Sequence, residues 1–222
     1  QHYLSDYVQL QNVPLPGRLA AEAKGMTLGT GIVLLPLHHP VEVAESLATL
    51  DAMADDFIAG VGAGYRDAEF DDFGVPKRER ISRLVEGIEL LELLWTEDDV
   101  TYEGDHYSVS GATISARPPE KPPVWLAANA DRAVRRAAEM SDAWFVNPHS
   151  SMGEIREQKR DIYDPVREER GESTTVPMIR EAFVAETEAE AYETAREYLE
   201  PKYERYISWG QDEAMEDETD LH

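Results

Sequence analysis

Three glycines within five residues, in Gly60-Val61-Gly62-Ala63-Gly64, precede Tyr65 and close an apolar stretch that opens at Phe57. A loop without side chains behind a strand lets backbone N–H groups approach a phosphate closely, so anion binding is the chemistry this segment suits. A dinucleotide fingerprint would need its third glycine where Tyr65 stands and a helix directly behind it. The chain instead runs through Arg66-Asp67-Ala68-Glu69-Phe70-Asp71-Asp72-Phe73-Gly74-Val75-Pro76, and the spacing rejects that site. The 6 histidines do not gather with carboxylates into a ligand set on one helix and there is no cysteine, so no metal set is expected. His39, ahead of Pro40, reads as a helix-entry residue, and His149, after Pro148, can face either a pocket or solvent.

Short apolar, β-rich runs alternate with helical patterns along the chain, the sign of βα units around a parallel sheet, and the class is α/β. A first helix is placed over Pro16–Ala23 and a strand over Met26–Leu35. A helix opens at Pro40 with Val43, Leu47, Leu50 and Met53 inward, and the strand Phe57–Gly62 follows. Ile81, Leu84, Val85, Ile88, Leu91 and Trp95 fall at helical spacing. From Val100 to Ile114 the composition turns to Tyr, Val, Thr and Gly, a hairpin-like insertion around residues 100–120. The series then reads strand Val124–Ala127, helix Asp131–Met140, strand Ala143–Val146, helix Gly153–Arg170 with a kink at Pro165, strand Thr175–Val184 and helix Glu188–Tyr206. Residues 1–222 read as one domain, and periodicity alone leaves both an open doubly wound sheet and part of a barrel available.

Composition narrows the function classes. The chain has 222 residues, 42% of them hydrophobic, enough for one sizeable core. Its 45 acidic against 21 basic residues give a net charge of -24, which repels nucleic acid and anionic membranes. The acids are distributed (Glu42, Asp71, Glu89, Asp98, Glu139, Glu154, Glu193), which points to a surface adapted to high salt, ordinary acidic solubility being the simpler alternative. The apolar stretch Leu28–Leu37 is far shorter than the roughly 20 residues of a membrane span, and no signal-peptide pattern opens the sequence. A cytoplasmic protein with a small-molecule substrate is the expectation, with room for a homodimer.

The run Gly-x-Gly-x-Gly-Tyr-x-x-x-Glu-Phe-x-x-Phe-Gly-Val-Pro, followed by Arg80-x-x-Arg83-Leu84-x-Glu86 and Leu94-Trp95, resembles the bacterial-luciferase-like superfamily of flavin-dependent enzymes. The likeness extends from Leu28-Gly29-Thr30-Gly31 and His39-Pro40, through Tyr102-Glu103-Gly104, to Pro122-Pro123-x-Trp125 and Asp142-Ala143-Trp144, over roughly residues 1–185. It implies a (β/α)8 TIM barrel with an inserted hairpin. In this register the first and last strands of the barrel are missing from the chain, through truncation or closure by a partner.

The resemblance also implies where a coenzyme sits. Its phosphate would lie between Gly62, Ala63, Gly64 and Tyr65 and the helix start at Ala128, Asn129 and Ala130, where N–H groups and the helix dipole favour an anion. Asp131 is given the cap role, and Arg132 is a further phosphate candidate. Gly31, Ile32 and Val33 match the strand that supports the ring, with a cis Gly31–Ile32 bond and apolar contacts from Ile32, Val33 and Leu34. His2, after Gln1, falls where family members carry a proton-transferring histidine, and is the catalytic candidate. Glu69 reads as a loop support. Tyr65 stands where sugar-phosphate-oxidising deazaflavin members have a carboxylate, which argues against that activity. The implied function is monooxygenation of a small organic substrate with reduced FMN and oxygen. The alternatives are a dehydrogenase or reductase using deazaflavin F-420 and a non-catalytic flavin-binding homologue.

Overall fold

The computed structural model of the chain describes residues 2–6 and 8–210. After α1 (Pro14–Ala20), the polypeptide enters β1 (Thr27–Gly29), resumes as β2 (Val33–Leu34) and turns through Leu35–Leu37 into α2 (Pro40–Met53). His39 caps α2, its Nδ1 accepting from Val41 N at 3.3 Å. Then come β3 (Asp56–Gly62), α3 (Asp67–Phe73) and α4 (Arg80–Thr96), the hairpin β4 (Val100–Glu103) and β5 (Ser108–Ala112), β6 (Val124–Ala128), α5 (Asp131–Met140) and β7 (Ala143–Val146). The chain closes with α6 (Met152–Gln158), α7 (Asp164–Glu169) and α8 (Glu188–Ser208).

The strands form a parallel sheet in the order β1-β3-β6-β7, with β2 also paired to β3. Its register places Val33 opposite Val61, Gly60 opposite Trp125 and Ala127 opposite Phe145, so the C-terminal ends of β2, β3, β6 and β7 lie at one level. Leu47 and Leu50 of α2 and Leu84, Ile88, Leu91 and Trp95 of α4 are buried together with Phe57 and Val61 of the sheet. Trp95 Nε1 donates to Ala44 O at 3.1 Å, so its polar edge is satisfied where its bulk is buried. The hairpin forms its own two-stranded sheet. Glu86 of α4 holds its turn, accepting from the backbone N–H groups of Asp105, His106 and Tyr107 at 3.1, 3.0 and 3.3 Å.

Several expected boundaries shift for identifiable reasons. The strand expected over Met26–Leu35 is broken at Thr30–Ile32, where Thr30 Oγ1 donates to Gly60 O at 2.8 Å. The Gly31–Ile32 bond is cis, as the resemblance implies. A helix, α3, does follow the glycine loop, two residues beyond Tyr65. The expected helix Gly153–Arg170 begins at Met152 and widens into a π turn over Lys159–Tyr163 before α7. Pro165 lacks an N–H and its ring crowds the carbonyl four residues back, so regular bonding cannot pass through it. Thr175–Val184 is not a strand: Met178 makes one bridge to Val146, and the Arg180 guanidinium bonds Pro148 O and Ser150 O at 2.6 and 2.8 Å instead of extending the ladder. Among the described residues no helix is long and apolar enough to cross a membrane.

Candidate functional site

The C-terminal ends of the parallel strands open into a cavity of about 300 Å³. Gly31 and Ile32 reach it from the β1–β2 bend, and Gly62, Ala63, Gly64 and Tyr65 from the end of β3. Ala128, Asn129 and Ala130 reach it from the β6–α5 junction, and His2 from the N-terminal segment. Thus residues more than a hundred positions apart meet in one place, because parallel strands with helical crossovers put all their C-terminal ends on one side.

Val33 is one exception among the residues expected here. Ile32 and Leu34 face the cavity, and alternation along β2 turns Val33 the other way, into the core with Leu47 and Val61. Asp131 is also reassigned. The cap position of α5 is Ala130, which offers no side-chain acceptor, and Asp131 Oδ1 accepts from Gln158 Nε2 at 3.0 Å. The first N–H groups of α5 therefore have no side-chain cap, and Ala128–Ala130 present that helix end to the cavity. Two of the glycines have packing reasons. A Cβ at Gly62 would come within 2.2 Å of Ile32 Cδ1 on the cavity floor, and Gly64 has φ +75° with Phe70 3.3 Å from where a Cβ would sit.

Arg132 does not line the cavity. Arg80 at the start of α4 does, and it forms no ion pair with any described residue. In the sequence Arg80 stands out only as part of a motif. Gln9 is another wall residue that sequence reasoning missed, and its buried Oε1 has no hydrogen-bond partner. Phe145, at the end of β7, and Tyr206, near the end of α8, complete apolar stretches of wall. On a chain carrying 45 acids, the described lining includes no carboxylate, and Arg80 is its single guanidinium or ammonium group.

His2 is 8% exposed. Its Nδ1 lies 3.1 Å from Glu69 Oε1, and the same oxygen accepts from Tyr3 N at 2.7 Å. Glu69, on α3, is fully buried, and its Oε2 has no partner. An ionised carboxylate only accepts, so the bond to Glu69 is one that Nδ1–H donates, and in the neutral ring this tautomer leaves Nε2 as the acceptor. The imidazole packs edge-on against Tyr65, Tyr206 and Trp209 at centroid distances of 5.6, 5.6 and 5.1 Å. Arg66 sits 4.5 Å from the Trp209 ring and donates to Tyr3 O at 2.6 Å. Gln1, which precedes His2, lies outside the described residues.

A second imidazole, His149, lines the cavity behind β7, 5.1 Å from the Tyr203 ring and 5.2 Å from that of Tyr206. Burial holds its pKa below the usual histidine value, Lys202 and Arg180 add to this, and Glu181 opposes it. The neighbouring cations are engaged: Lys202 pairs with Glu181, which also accepts from Tyr203 OH, and Arg180 bonds the carbonyls of Pro148 and Ser150.

A family model described as luciferase-like monooxygenase matches residues 1–220, and the chain belongs to that family. Curated relatives include F420-dependent glucose-6-phosphate dehydrogenases of Kineococcus radiotolerans (30% identical over 172 residues, 75% of this chain and 46% of the relative) and Microbacterium testaceum (36% over 139 residues, 60% and 41%). The matches span less than half the length of these relatives. Among solved structures, the monooxygenase RslO1 from Streptomyces bottropensis superposes with a TM-score of 0.83 at 24% identity, over 91% of this chain and 64% of that one. An F420-dependent secondary alcohol dehydrogenase gives 0.72 at 20%, over 89% and 62%. The architecture is that of the luciferase-like TIM barrel.

Proposed function

We propose that this member of the luciferase-like monooxygenase family is an oxidoreductase that binds a phosphate-bearing deazaflavin and exchanges a proton with a small-molecule substrate at His2. The observation that carries the reading is the buried His2–Glu69 pair on the cavity wall. When bound, the deazaflavin supplies hydride transfer, and oxidation of an alcohol also needs a group to take the hydroxyl proton. His2 Nε2 takes that proton, Glu69 fixes the tautomer and stabilises the imidazolium, and Ile32, Leu34 and Phe145 keep water from the reacting end. Curated relatives named as F420-dependent dehydrogenases support the same coenzyme. Monooxygenation with reduced FMN, the first expectation from sequence, becomes the second reading because the curated relatives are named as F420-dependent dehydrogenases.

The lining fits such a coenzyme. Uncapped N–H groups of α5, Asn129 and the loop Gly62–Gly64 suit a phosphate, with Arg80 as its counter-charge. Gln9 Oε1 is an acceptor that a bound donor would satisfy. Arg80→Gln tests the placement. A charge-assisted hydrogen bond is worth about 1.5–3 kcal/mol, so affinity for deazaflavin, read by fluorescence in high salt, should fall roughly 10- to 150-fold. Riboflavin, which has no phosphate, should bind both proteins equally. Unchanged deazaflavin affinity in a folded variant would remove the phosphate from this end, and preference of the parent for FMN over deazaflavin would reinstate the second reading.

A further inference from the structure

The cavity lining also holds residues that the coenzyme reading leaves unassigned, and they define a substrate class. This assignment rests on the coenzyme reading, in which the phosphate takes Arg80. With that residue committed, no ammonium or guanidinium in the described lining is left for a second phosphate or a carboxylate. The nearby cations do not supply one, since Lys202 is paired with Glu181 and Arg180 is held by two backbone carbonyls. The unassigned lining residues include His149, Pro148, Ile179 and Tyr206. Tyr206 packs against both imidazoles, at 5.6 Å from His2 and 5.2 Å from His149, which places the two on one stretch of wall.

We infer that these residues form a subsite for a neutral, largely apolar alcohol or ketone, with His149 hydrogen-bonding a substrate oxygen and Ile179 and Tyr206 receiving its hydrocarbon part. An anionic substrate would enter a chain of net charge -24 and meet no uncommitted counter-charge on arrival. A neutral carbonyl needs only one hydrogen-bonding group and a dry wall, which is what the lining offers.

The probes are cyclohexanone, as the neutral ketone, and glucose 6-phosphate, as the phosphorylated alternative. Saturation-transfer NMR measures binding of each to the full chain in high salt, with and without deazaflavin, for the parent, His149→Leu and His149→Gln. The expected result is that cyclohexanone binds the parent, loses about tenfold in affinity in His149→Leu and is restored by His149→Gln, which keeps a hydrogen-bonding side chain. Glucose 6-phosphate should not compete with it. Because His149 packs on Tyr203 and Tyr206, circular dichroism must match across the three proteins, and if His149→Leu does not fold the comparison uses His149→Gln against His149→Ala. Cyclohexanone binding that is absent, or indifferent to position 149, overturns the subsite, as does displacement by glucose 6-phosphate. Should deazaflavin fail to bind while cyclohexanone binds in a His149-dependent way, the coenzyme reading falls and the subsite stands. Deazaflavin binding without ketone binding would remove the subsite and leave the coenzyme reading in place.

Discussion

Glu69 offers a sharp test of how the site is held, because its two oxygens are used unequally. Tyr3 N and His2 Nδ1 converge on Oε1, while Oε2 is buried without a partner. In Glu69→Gln the amide oxygen can take the place of Oε1 and the NH2 group the place of Oε2, so neither bond need be lost. What disappears is the charge assistance, and the cost should be about 1 kcal/mol. Glu69→Leu removes the shared acceptor and leaves the Tyr3 N–H and the His2 Nδ1–H without partners, for which about 2–4 kcal/mol is expected. In a domain of this size that corresponds to a fall in melting temperature of roughly 5–15 °C for Glu69→Leu and a few degrees for Glu69→Gln. Thermal denaturation followed by circular dichroism in high salt reads both. If Glu69→Gln were as damaging as Glu69→Leu, the buried charge and its neighbour Arg66, 3.9 Å away, would be the real anchor, and the role given to the two donors would be refuted. A Glu69→Leu variant as stable as the parent would show that the N-terminal segment does not depend on α3 at all.

Two further outcomes follow from charge. His149 and His38 both have pKa values lowered chiefly by burial, so as pH falls through about 6.5 the unfolded chain takes up protons before the folded one does. Their contribution to stability is full above that range and is lost on acidification towards the lowered folded values; denaturant midpoints should drop between about pH 7.5 and 5.5, less steeply in His149→Gln, and an equal slope in that variant would contradict the assignment. The distributed net charge of -24 repels itself when unscreened, so circular dichroism should report unfolding as salt is withdrawn, and an unchanged spectrum at low ionic strength would defeat this expectation.

The βα rhythm was legible because buried strands and amphipathic helices leave periodic marks: the inward face of α4, Ile81, Leu84, Ile88, Leu91 and Trp95, is buried as its spacing requires. So was the meeting of the glycine loop with Asn129, through a motif order that carries the barrel's topology. Phase was harder. Whether Val33 or its neighbours face the cavity depends on the bend at Thr30–Ile32, a tertiary event with no local signature. Arg80 and Gln9 were missed because nothing in their own segments says which element they will face across the barrel mouth. Gly104 shows the same limit. By sequence it is only a turn glycine within a motif, yet a Cβ there would lie 2.3 Å from Glu86 Oε2, the oxygen that holds the hairpin turn.

That crowding around Glu86 bears on how the family can diversify. The hairpin shares no backbone ladder with the parallel sheet and is fastened to α4 by side chains: the Glu86 carboxylate gathers three N–H groups, Tyr102 OH donates to Glu89 Oε2 at 3.0 Å, and Ser82 Oγ lies 2.7 Å from His106 Nε2, beside the apolar packing of Val100 and Tyr107. An acid on the second turn of α4 and a glycine at the hairpin turn thus act as a plug and socket. Because no strand that shapes the cavity takes part in these contacts, a change in hairpin length at that joint need not re-register the parallel sheet.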